Sequence, residues 1–285
     1  MPHVDAVIQL SFAPGATVAG FEVRLETIAL AASILVALLL AALIARRTPA
    51  EPADTVEPAE HVRLRPDELL VLAFCAIPGA IAGGRLGYGL VHADVFGANS
   101  GALLDPARAG LELPLAVAGG AITASIAAAV LDAPIRRWLQ VATLPVLVAI
   151  GGGKLAMALG GAGQGLPFDG AWATAYLGDG PWATIAPAIP SHPAQLYEAG
   201  VVAAVILVIG GALAVGAFRS RRGTIFGLGM AAWLLGRAAV ATTWRDPAVL
   251  GPLRADQAIS IVLAVLVLAL TTVDAALGRY ADRPE

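Results

Sequence analysis

The 285-residue chain contains one cysteine and one lysine. The lone Cys75 excludes an intramolecular disulfide and a cysteine-rich metal site. Charge is scarce throughout: 14 % of residues are Asp, Glu, Lys or Arg, against about 25 % in an ordinary soluble domain. The net charge of -3 is small, and no nucleic-acid partner is expected. Period-two alternation is absent, which disfavours a β-barrel, and no repeat of 20–50 residues is visible. The opening "MPHVDAVIQLSFAPG" lacks the basic and long apolar regions of a secretory signal, so the first membrane helix is expected to act as its own signal. Apolar residues, by contrast, make up 58 % of the chain, above the usual range of about 45–50 %. This composition implies one membrane domain over residues 1–285 and not two soluble ones.

A helix needs about 20 apolar residues to cross a bilayer. Seven segments qualify, near 26–45, 69–93, 114–133, 137–160, 195–217, 223–243 and 255–276. The expected fold is therefore all-α and polytopic, since helices satisfy every backbone group within the segment. Arginines set the expected orientation. Arg46, Arg47, Arg63, Arg65, Arg136, Arg137, Arg219, Arg221, Arg222, Arg279 and Arg283 all fall on one side of alternating spans. The positive-inside rule then puts the N-terminus outside and the C-terminus in the cytoplasm. Residues 46–68, rich in Pro and charge, read as a cytoplasmic linker. Residues 161–191, rich in Gly and Pro, read as an extracytoplasmic segment. Gly79, Gly83 and Gly87 repeat every fourth position in the second span, as do Gly223 and Gly227 in the sixth, a spacing that lets helices pack closely.

Against this background a few charges stand out. A basic side chain near the bilayer centre costs roughly 2.5–3.5 kcal/mol, yet Arg85, Lys154 and Arg237 fall within or at the ends of spans. At helical spacing Arg85 shares a face with Tyr88 and His92. The segment "SHPAQLYEA", residues 191–199, concentrates polar groups at the start of the fifth span. Pro193 suits a first helical turn. His192 is then expected as the N-cap, with Gln195 reaching back to it. Gln195 and Glu198 share a face with Val202. Glu198 reads either as the partner of an intramembrane arginine or as a working group in a polar cavity.

These motifs carry a resemblance. "HPAQLYE" matches the HPxQLYE signature of bacterial prolipoprotein diacylglyceryl transferases. "GGRLGYGL", "GGGKLAMALGGAGQG", "RRGTIFGLGMAAWLLGRAAVATTWRDP" and "ADQAISI" resemble that family's other segments in the same order, from about residue 24 to 276. The resemblance implies transfer of a diacylglyceryl group from phosphatidylglycerol to the lipobox cysteine of prolipoprotein signal peptides, releasing glycerol phosphate, in the bacterial plasma membrane and without a cofactor. It implies that Arg237, Lys154 and Arg85 hold the anionic head group. Tyr88, Gln195, Tyr197, Gly119 and Gly120 would complete the lipid-binding pocket. Arg237, His192 and Glu198 would be the catalytic set, with His192 or Glu198 deprotonating the thiol.

The chain also departs from that pattern. Ala118 stands where the family has a histidine before the Gly119–Gly120 pair, Glu26 where it has a tyrosine, Lys154 where it has an arginine, and Ala241 where a glutamate is common. An asparagine near Met157 and a glutamate near Ala162 are missing as well. Lysine keeps the charge but loses the two-pronged guanidinium. Two further readings stay open: a non-catalytic relative that binds anionic lipid or a lipoprotein signal helix, and a small transporter, since buried charges also mark substrate paths.

Overall fold

The structure, a computed structural model, describes residues 7–13, 15–49, 64–97, 100–105, 110–177, 188–217 and 223–281. Most of the expected 46–68 linker, and residues 178–187 of the 161–191 segment, lie outside the described residues.

Among the described residues seven helices are long and apolar enough to cross a membrane: α1 Leu25–Ala45, α2 Pro66–Val91, α3 Leu113–Val130, α4 Ile135–Leu159, α5 Ala194–Ala214, α6 Thr224–Val240 and α7 Ala255–Ala281. Their boundaries follow local chemistry. Pro66 opens α2 and Pro114 the first turn of α3, where a missing N–H goes unnoticed. The Glu112 carboxylate caps α3 by accepting from Leu115 N–H at 2.7 Å. At α5 the cap is Pro193, one residue later than the sequence suggests, because its ψ of 63° is not helical. The His192 N–H donates to the Leu166 carbonyl and Pro193 has no N–H, so Gln195 has no capping N–H to reach back to.

Outward faces are apolar, with Phe74, Leu207, Val208 and Leu270 each at least 70 % exposed, as a hydrocarbon solvent allows. Between the helices there is little hydrophobic driving force in lipid, so close packing and polar contacts decide the pairing. α2 packs chiefly on α3, α1 on α4, α6 on α7, and α4 on α5. The α2–α3 contact depends on glycine. A Cβ on Gly83 would collide with the Leu115 carbonyl and one on Gly119 with that of Gly79. α4, α5, α6 and α7 share a central cluster that includes Leu147, Ile150, Val202, Met230, Trp233 and Ala264.

The α2–α3 pair meets the other helices through Leu113 and Val117, which pack on that cluster, and through a second cluster. At the end where α2 begins, Leu72, Ala128, Trp138 and Val141 cluster with Ala41 and Ala45, and Trp138 Nε1 donates to Glu68 at 2.8 Å. At the other end lies a cap of loops and short strands. Val7–Leu10 pairs in parallel with Ala173–Tyr176. Arg245 Nε donates to the Gly165 carbonyl at 2.7 Å and Nη2 to Ser191 Oγ at 3.0 Å, tying the loop before α5 to the end of α6.

Candidate functional site

Under this cap, between the helix ends, is a cavity of about 540 Å³. Its floor is a chain of buried charges. Glu198, 1 % exposed, sits one turn into α5. It accepts from Arg237 Nη1 at 2.8 Å on each oxygen and from Lys154 Nζ at 2.9 Å. Trp233 Nε1 adds a longer contact of 3.4 Å. Arg237 Nη2 then donates to Asp256 Oδ1 at 3.2 Å, and its guanidinium lies 4.5 Å from the Trp244 ring centroid. Two cations and two anions balance, which is how buried charge becomes tolerable in lipid. α4, α5, α6 and α7 each supply one charge, so the network also fixes those four helix ends against one another. Of its three N–H donors, Lys154 gives one to Glu198.

Glu112 completes the ring from the α3 side. Its Oε2 caps the helix, while Oε1 is buried with no N–H or O–H directed at it. Burial and the hydrogen bond with Asp256 push its pKa up to about 8. Just before the α3 span, then, Glu112 is protonated near neutral pH, beside the Asp256 carboxylate. It adds no negative charge to the balanced set.

Gln195 lines the same cavity. Tyr176 Oη donates to the Ala158 carbonyl at 2.6 Å, so it must accept from Gln195 Nε2, 3.0 Å away. That orientation leaves Gln195 Oε1 buried and without a donor.

The structure thus brings together Lys154, Arg237, Glu198, Gln195 and Tyr88 of the residues singled out in the sequence. Others stand apart. Arg85 points to the loop between α2 and α3, donating to the Asp105 carbonyl at 3.4 Å. The His192 ring stacks on Phe168 at 4.0 Å, and its Nδ1 lies 3.1 Å from Tyr197 Oη, which also accepts from Trp172 Nε1. His192 and Tyr197 therefore brace the cap and do not line the cavity. Gly119 packs on α2. Glu112, Asp256, Trp244 and His92 do line the cavity, but were given no role from the sequence. Asp256 had a signal in "ADQAISI", an acid at the first turn of an apolar helix. Glu112 had one in its place directly before "LP".

A second cavity, also about 540 Å³ and almost wholly apolar, fills the gap between the α2–α3 pair and α1–α4. It shares Leu30, Leu113, Ala149 and Ile150 with the charged cavity. Gly120 lines its wall and Trp138 its far end.

The sequence matches the profile of the family described as prolipoprotein diacylglyceryl transferase over residues 15–273. The chain belongs to that family. Among curated proteins none matches. The family's chemistry is diacylglyceryl transfer to prolipoproteins, and this member is a multi-pass membrane protein by its seven apolar helices. Of the departures noted above, Lys154 retains a cation at the cavity floor. Ala118 lines neither cavity.

Proposed function

We propose that this transferase takes its diacylglyceryl group from phosphatidylglycerol and passes it to the thiol of a lipobox cysteine. The observation that carries the reading is the junction of the two cavities at Leu30, Leu113, Ala149 and Ile150. A phospholipid has the same two halves. Its phosphate would face Lys154 and Arg237, and an acyl chain would enter the apolar gap.

In the reaction the thiolate sulfur attacks the glycerol carbon of the diacylglyceryl group. A carbon–sulfur bond forms and the carbon–oxygen bond to phosphate breaks. Glycerol phosphate leaves with the bonding pair. Lys154 and Arg237 would stabilise the charge that grows on that phosphate. Glu198 would act by positioning both cations, since its oxygens are already engaged by them. The reading also takes the cavity end as the extracytoplasmic one, in agreement with the arginine distribution.

The test is a single-turnover assay on the full chain in detergent, with phosphatidylglycerol and a lipobox peptide, scoring the diacylglyceryl thioether by mass spectrometry. Lys154→Met is the control, because Glu198 keeps Arg237 in that variant. Product that falls at least tenfold in the control supports the reading. Absence of product from the unmodified protein, with phosphatidylglycerol still bound, would establish a lipid-binding relative in its place.

A further inference from the structure

A thiol has to lose its proton to attack, and the charged network offers no base. Glu198 accepts from Arg237 and Lys154, and Asp256 accepts from Arg237. Glu112 holds its own proton, and its Oε1 is sealed against solvent. Lys154, Arg237 and Arg245 are donors. His192 is stacked away from the cavity. The remaining carboxylate on the lining is Asp246, and carboxylates, with reference pKa values near 4, are poorly matched to a thiol near 8.5. An imidazole is a closer match.

Among the described residues one imidazole lines the cavity: His92, the residue that ends α2. Resting on the transferase reading, the geometry points to His92 as the general base that takes the proton of the acceptor thiol. Its Nδ1 lies 3.1 Å from the Tyr88 carbonyl. A carbonyl only accepts, so Nδ1 carries the hydrogen and the neutral ring presents its lone pair at Nε2. The ring plane is held by stacking on Tyr88, centroids 4.2 Å apart, and Phe96 packs edge-on against Tyr88 at 5.7 Å. Tautomer and orientation are thus both set before substrate arrives, which a base requires. Arg85 is directed to Asp105, leaving no guanidinium from the same helix on the cavity wall. The proton balance closes within the reaction. Nε2 takes the thiol proton as sulfur attacks, and the imidazolium returns it to the departing glycerol phosphate. His92 would then occupy the functional place that Ala118 leaves empty, from a different helix.

The decisive experiment compares unmodified protein with His92→Ala and His92→Gln in the thioether assay, at pH 7 and at pH 9.5, with and without added imidazole. Both variants should lose about 10²–10⁴-fold in kcat at pH 7, while KM for phosphatidylglycerol moves less than about threefold. The deficit should shrink at pH 9.5, where a free thiol with pKa about 8.5 ionises unaided. Imidazole should restore part of the His92→Ala rate. His92→Gln retains an N–H for the Tyr88 carbonyl, so its rate reports on the base even where the alanine variant folds poorly. Unchanged kcat in both variants at pH 7 overturns the assignment. So does an equal loss at both pH values with no imidazole rescue, which marks a structural role. Absence of thioether from the unmodified protein removes the transferase reading and this assignment with it.

Discussion

The α2–α3 pair and the α4–α7 group are held together by opposite means. The first is joined by backbone: glycines bring the two helices so near that no side chain separates them at Gly83 and Gly119. The second is joined by charge: Lys154, Glu198, Arg237 and Asp256 link four helices through one buried network. Lipid explains both devices. Burying a leucine gains little in hydrocarbon, so helices associate where backbones approach or where polar groups find one another. The difference also locates the site. The glycine pair offers no chemistry, while the charged group gathers ionised side chains around a cavity. The apolar gap lies between the two, and Glu112 bridges them at the cavity end.

Removing one charge should break the comparison most severely. Glu198→Ala leaves Lys154 and Arg237 buried without their shared anion, and losing one partner of a buried pair costs about 3–5 kcal/mol. Thermal unfolding in detergent should show a large drop in Tm. The double variant Glu198→Gln with Lys154→Met should recover part of it, since Arg237 keeps Asp256 and net charge is restored.

Next comes the bridge. Glu112 has its pKa raised to about 8 from the ordinary 4.5. The folded protein therefore holds its proton more tightly than the unfolded chain does. Its contribution is fully present below pH 4.5 and is lost as pH rises through about 8. Stability should fall by an amount on the order of a few kcal/mol between pH 5 and pH 9. In Glu112→Gln, unfolding curves at those two pH values should draw together.

The glycine pair can be tested by overpacking. Gly119→Val puts methyl groups into the Gly79 carbonyl and should cost about 1–3 kcal/mol, read as a lower Tm with the charged network intact. The smallest effect is expected at Gly210, where an added Cβ meets nothing within 4 Å. Gly210→Ala should stabilise α5 by roughly 0.5–1 kcal/mol, and a Tm below that of the unmodified protein would contradict it.

Much of the site was legible in residue order. A glutamate four residues inside an apolar helix reads as the partner of a buried cation or as a working group, and Arg85, Lys154 and Arg237 were the candidate cations. What helical spacing could not show was which helix ends converge. Arg85, Tyr88 and His92 share one face of α2 by spacing, yet Tyr88 and His92 line the cavity while Arg85 turns to the loop at Asp105. His192 and Tyr197 belong to the same heptapeptide as Gln195 and Glu198. They brace the cap because the helix begins at Pro193 and turns them toward Phe168 and Trp172.

The order of residues alone determined the seven membrane helices, because hydropathy and length are properties of a segment. It also singled out Lys154, Glu198 and Arg237, because a charge in lipid is conspicuous wherever its partners are. Tertiary structure alone decided that Asp256 and Glu112 join that network, that Gln195 Oε1 is left without a donor, and that an apolar cavity meets the charged one at four shared residues. Those facts depend on distances between residues as remote in sequence as Leu30 and Asp256, and such distances exist only once the helices have packed.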